Sequence, residues 1–148
     1  MPEVTTKLLR PLAAGLCCTV DSLSGQDRMF VYASYGLSEW MAAGTVTPDT
    51  HIVDRETLRP VIEIVGSKKT QVVARASGVA EIGVSEDEQK RFCLSPEEVE
   101  EIAKLAAAVE ARQGSPVRIE WTYERETLHL LAARESYSAS LEERVDPG

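Results

Sequence analysis

At 148 residues, with 43% hydrophobic and 27% charged side chains, the chain has ordinary globular usage and enough length for one domain with its own core. Its 16 Lys and Arg against 24 Asp and Glu give a net charge of −8, which disfavours nucleic acid as a partner but leaves a small anion open, since that needs only a local cluster of donors. No apolar run approaches the roughly 20 residues of a membrane-spanning helix, and Cys17, Cys18 and Cys93 have neither disulfide-framework nor zinc spacing, so a reducing cytoplasm is expected.

The first apolar run, residues 12–20, follows Lys7 and Arg10 as a leader would. Pro11 interrupts its start and no small-residue cleavage site follows, so it reads as a buried strand. Turn formers crowd residues 21–27, and residues 28–34 (RMFVYAS) have the β-branched and aromatic content of a second strand. Residues 38–44 read as a short helix with Ser38 as N-cap and Gly44 as its stop. Three extended segments at 51–55, 59–65 and 70–75 predict an antiparallel meander.

The clearest signal starts at Ser95-Pro96-Glu97-Glu98, where a serine N-cap, a proline in the first turn and a glutamate at N3 form a capping box. It predicts a helix over about 95–113, ended by Gly114, with Val99, Ile102, Ala103, Ala106 and Val109 on its apolar face. Glu110 falls on that face too, which predicts an exposed last turn. Residues 117–123 (VRIEWTY) and 127–134 (TLHLLAAR) predict a β-hairpin around Glu124-Arg125-Glu126. The expected class is therefore α+β, a mostly antiparallel sheet with one long helix and a final hairpin, as a single domain over 1–135 followed by a polar tail at 136–148.

Alternation places Arg118, Glu120 and Thr122 on one face of their strand and Val117, Ile119, Trp121 and Tyr123 on the other. A three-residue turn would pair Glu120 with Leu130 and Arg118 with Ala132, so that Glu120, Arg118, Ala132 and Arg134 line one surface. The pattern alone favours a cross-strand ion pair on a solvated sheet. The sharper reading makes Glu120 a Mg²⁺ ligand and Arg134 a phosphate anchor, because Mg²⁺ takes carboxylate oxygens plus phosphates and arginine presents a fork to phosphate. The helix start at 35–39 and Gly66-Ser67-Lys68-Lys69 also offer anion donors, though a plain turn and a solvated loop are the commoner meanings. His51 and His129 have no partner at ligand or triad spacing and read as packing or surface residues.

Several segments occur in a telling order: Ala14-Gly15-Leu16-Cys17-Cys18-Thr19-Val20-Asp21, Ala33-Ser34-Tyr35-Gly36-Leu37-Ser38-Glu39, Gly44-Thr45-Val46-Thr47-Pro48-Asp49, Gly66-Ser67-Lys68, Arg91-Phe92-Cys93-Leu94-Ser95, Ile119-Glu120-Trp121 and Ala133-Arg134. Together they resemble the nucleotide-binding domain of phosphoenolpyruvate synthases, pyruvate phosphate dikinases and rifampin phosphotransferases over roughly residues 10 to 135. The resemblance implies the C-terminal half of an ATP-grasp domain that binds ATP and Mg²⁺, with Glu120 and Glu39 at the metal and Arg134 on phosphate. It also implies, as partner, a complementary N-terminal subdomain to complete the clamp or else a homo-oligomer, and no catalysis by this half alone, since phosphoryl transfer needs both sides of the nucleotide. The alternative is an interaction or regulatory domain that self-associates through the exposed subdomain interface.

Departures accompany the matches. Arg118 stands where the family pattern has Asp, Ala132 where it has Gln, Glu135 where it has Pro and Ser38 where it has Gly. A guanidinium in place of a carboxylate reverses a charge beside the expected cation, and Ala132 removes an oxygen ligand, so both weaken the expected Mg²⁺·ATP site.

Overall fold

The computed structural model describes residues 12–20, 28–44 and 46–135. The turn expected at 21–27 and the polar tail expected at 136–148 lie outside the described residues. The strands are β1 (Ala13–Cys18), β2 (Met29–Tyr35), β3 (Asp49–Val53), β4 (Pro60–Ile64), β5 (Thr70–Arg75), β6 (Gly78–Gly83), β7 (Val117–Glu124) and β8 (Thr127–Glu135); the helices are α1 (Glu39–Ala43), α2 (Glu86–Gln89) and α3 (Pro96–Gln113). Six strands form one antiparallel sheet in the order β4-β3-β2-β1-β7-β8, and β5 and β6 form a separate hairpin. The α+β class, the long helix and the final hairpin are as the sequence pattern predicts.

Alternation decides what the sheet buries. Ala13 and Cys17 on β1, Met29, Val31 and Ala33 on β2, and Val117, Ile119, Trp121 and Tyr123 on β7 all turn to one face, where α3 covers them with Val99, Ile102, Ala103 and Ala106. Each large side chain buried there contributes about 1.5–3 kcal/mol. The central strand is poor in large residues for a steric reason. Gly15 pairs with Trp121, and a Cβ on it would lie 2.7 Å from the indole and 1.7 Å from the Tyr32 carbonyl oxygen.

α3 forms as its sequence signals require. The Ser95 hydroxyl accepts the Glu98 N–H at 3.1 Å, the Glu98 carboxylate accepts the Ser95 N–H at 2.9 Å, and Gly114 closes the helix at φ +77. The last turn differs from expectation. Arg55 donates to the Thr19 carbonyl at 3.0 Å and to Glu110 at 2.7 Å, so Glu110 sits on the packed face as the partner of a cation and its side chain is only 19% exposed.

Three other expectations need correction. Segment 70–75 does not continue the meander: Gly36 bridges to Val72 and the Leu37 N–H donates to the Val72 carbonyl at 2.8 Å, which draws β5 away to pair with β6. β6 and α2 were not expected at all. β6 is short and glycine-bounded, and its exposed positions carry little periodic signal, although Ser77-Gly78 between two β-rich runs was a usable hairpin cue. Ser38 occupies the N-cap position of α1 with helical dihedrals and makes no side-chain cap bond, while Gly44 does stop the helix at φ +67.

The third correction concerns the final hairpin. Its turn holds two residues, Arg125 and Glu126, with Arg125 at φ +59, and the ladder pairs Glu124 with Thr127 and Trp121 with Leu130. A bulge at Leu131 then shifts the register, so Glu120 faces Ala132 and Arg118 faces Arg134. Leu128 and Leu130 therefore share the core-side face with Tyr123 and Trp121, and of the four even-numbered residues 128–134 Ala132 and Arg134 alone share the face of Glu120.

Candidate functional site

The sheet face away from α3 is the one that the described chain leaves open. Paired positions across it form one row, Ile62, Ile52, Phe30, Cys18, Arg118 and Arg134, and a second beside it, Ile64, Thr50, Tyr32, Leu16, Glu120 and Ala132. One end of the face is thus apolar and the other charged. The start of α1 hangs over the charged end, because Gly36 at φ +87 turns the chain sharply at the end of β2. Between them lies an open cleft of about 440 Å³ lined by Leu16, Ser38, Glu39, Met41, Arg118 and Glu120.

Glu39 and Glu120, 81 residues apart in sequence, therefore line one cleft. Arg134 is exposed and opposite Arg118 across the ladder, on the same face, but it is not among the residues lining the cleft. The structure shows no carboxylate paired with either arginine or any cation paired with Glu120 among the described residues; the cross-strand ion pair that the pattern favours is not formed. Sequence reasoning did not single out Leu16 and Met41, whose apolar side chains give no chemical signal.

The other candidates resolve differently. Lys68 belongs to neither a phosphate loop nor a solvated one. It is fully buried at φ +42, and its ammonium donates to Asp49 Oδ1 at 2.7 Å, to the Gly66 carbonyl at 3.1 Å and to the Gln89 carbonyl at 2.9 Å. Asp49 also accepts the Gly66 N–H at 2.8 Å and, through Oδ2, the Cys93 N–H at 2.8 Å. Three of the motif segments thus meet on one buried carboxylate, which accounts for them structurally. His51 is buried against the Phe92 ring with Nδ1 2.6 Å from Glu63, and His129 is exposed. Tyr35 donates to the Glu88 carbonyl at 3.0 Å, and burial, aided by Cys93 and Glu88, pushes its phenol well above the usual range.

A larger hollow, about 510 Å³, lies between β4 and the start of α3. Its lining includes Glu63, Glu97 and Glu100, and Arg59 there is engaged by Glu100 at 3.3 Å. That excess of carboxylates suits an anion poorly. The 440 Å³ cleft is the one that brings Glu39, Glu120 and Arg118 together.

The family model for the pyruvate phosphate dikinase AMP/ATP-binding domain matches residues 3–146. The chain belongs to that family. Among its relatives, a probable phosphoenolpyruvate synthase of Methanocaldococcus jannaschii is 34% identical over 90% of this chain and 11% of its own length. An uncharacterized phosphotransferase of Bacillus subtilis is 38% identical over 90% of this chain and 16% of its own. A phosphoenolpyruvate synthase of Neisseria meningitidis is 34% identical over 88% of this chain and 18% of its own. This AMP/ATP-binding domain chain therefore spans less than a fifth of the length of each of these three relatives.

Proposed function

We propose that the open face binds ATP, with the phosphates at Arg134 and the cleft carboxylates Glu120 and Glu39 turned to a Mg²⁺ ion that arrives on the nucleotide. The observation that carries this reading is that one cleft collects Glu39, Glu120 and Arg118 in a member of an AMP/ATP-binding domain family. Among the described residues no group of three or more His, Cys, Asp and Glu side chains is placed to hold a metal. Two carboxylates on one cleft instead fit an ion that keeps its waters and binds mainly through substrate phosphates. Such an ion would neutralise charge on the phosphates; what this chain supplies is two carboxylate walls and the guanidinium forks.

On this reading the domain is one side of an ATP-grasp clamp and does not transfer phosphoryl groups by itself. The cleft is open to solvent, and transfer requires donors arranged around the nucleotide in a site that excludes water. A complementary N-terminal subdomain would supply the facing wall. Cys17, Cys18 and Cys93 are not in disulfides, which agrees with a reducing compartment such as the cytoplasm. No helix among the described residues is long and apolar enough to cross a membrane. Calorimetry of the whole chain with ATP and MgCl₂ tests the site: measurable binding is expected, weakened at least about ten-fold in Glu120→Ala or Arg134→Ala. Absence of both heat and NMR shift changes on the open face would remove the reading.

A second reading rests on a separate observation. Val61, Ile62 and Ile64 on the edge strand β4 are 59%, 45% and 56% exposed, an apolar edge of the kind monomers seldom leave bare. On this reading the domain self-associates through that edge and acts as an interaction module. Light scattering tests this reading: Ile62→Lys with Ile64→Lys should dissociate an oligomer, and a chain that is monomeric before the substitutions removes the reading.

A further inference from the structure

The charged end of the open face has a feature that a metal site does not explain. The bulge at Leu131 sets Arg118 and Arg134 directly opposite one another on adjacent strands. Like charges in that position repel, and opposed Cβ atoms stand only about 4.5–5.5 Å apart. Neither side chain has a carboxylate partner among the described residues, and Glu120, two residues along from Arg118, is paired with neither guanidinium. Two unneutralised forks at that spacing can close on the oxygens of a single phosphoryl group, each giving parallel charge-assisted hydrogen bonds. A bound anion would relieve the repulsion that the register imposes.

We infer that Arg118 and Arg134 form a two-armed anion clamp that holds the phosphate chain of a polyphosphate ligand without a divalent ion. The inference rests on the nucleotide site proposed above but is separable from it. The clamp takes the charge-neutralising role from inside the protein, so the metal becomes an adjunct. Glu120 then has opposite effects in the two regimes. With Mg²⁺ present its carboxylate faces the cation and helps; with Mg²⁺ removed it faces the phosphates and repels them.

The test is calorimetric titration of inorganic tripolyphosphate, and separately of ATP, into the full chain in EDTA at low ionic strength, with circular dichroism confirming that each variant is folded. Tripolyphosphate should bind in EDTA and weaken about ten-fold in Arg118→Gln, with Arg118→Lys keeping part of the loss back because it retains charge without the fork. Glu120→Gln should tighten binding in EDTA and weaken ATP binding in MgCl₂. If ATP binds no better than tripolyphosphate, the clamp stands and the nucleotide reading falls. If ATP binds in MgCl₂ while neither ligand binds in EDTA, or if Arg118→Gln leaves folded protein with unchanged affinity, the nucleotide reading stands and the clamp is overturned.

Discussion

Asp49 and Glu120 are carboxylates on the same sheet, each within a segment that carries the family resemblance, and they meet opposite fates. Asp49 turns to the side covered by α3, is fully buried, and has its oxygens bonded to an ammonium and two backbone N–H groups. Glu120 turns to the open side, stays half-buried, and shares its cleft with Glu39 and Arg118 without a paired cation among the described residues. The contrast teaches how to sort charged motif residues. A charge whose partners are all internal holds the chain together, whereas a charge left unmatched at a solvent-facing cleft is available to a ligand.

The comparison breaks first at the buried end. Asp49→Ala strands the Lys68 ammonium without its counter-ion and leaves the Gly66 and Cys93 N–H groups without their acceptor, so stability should fall by about 3–5 kcal/mol. Urea denaturation measures it, and a loss under about 1 kcal/mol would show that Lys68 finds water instead.

Alkaline pH probes the same covered side with a smaller effect. Burial, with Cys18 adding, raises the Cys17 thiol above its ordinary 9.0, and burial likewise raises Tyr35 above its ordinary 10.0. The unfolded chain loses these protons first. Stability is therefore intact below pH 9 and falls above it, by about 1.4 kcal/mol per pH unit for each group fully released only on unfolding. Cys17→Ala should delay the onset toward pH 10, read from denaturation midpoints across pH 8 to 11.

The smallest stability effect belongs to the open side. Glu120→Gln should change folding stability by no more than about 0.5 kcal/mol while altering anion affinity. A loss comparable to that of Asp49→Ala would mean that Glu120 is a packing residue, and the contrast between the two faces would collapse.

Local chemistry explains which elements were legible. Ser95, Pro96, Glu98 and Gly114 bracket α3 with bonds that span three or four residues, so its boundaries follow from nearest neighbours. The alternation in 117–123 fixed which side of β7 is buried, because a one-residue slip would expose Trp121. That Glu120 and Arg134 share a face was readable too, though by a register that turned out to differ. The two errors compensated: a shorter turn changed the pairing and the bulge at Leu131 restored the parity. The Lys68 loop reads as solvated in the sequence because its partner Asp49 lies 19 residues away and nothing near Gly66-Ser67 announces burial.

The sequence by itself determined the class of the fold, the long helix, the buried side of the central strands and the family to which the chain belongs, since each depends on short-range periodicity, capping or ordered motifs. Tertiary structure alone decided that β5 leaves the main sheet, that Asp49 and Lys68 form a buried pair, that Glu39 reaches the cleft of Glu120, and that two arginines stand opposed. Those outcomes join residues distant in the chain, and their free energies depend on which surfaces the whole fold removes from water.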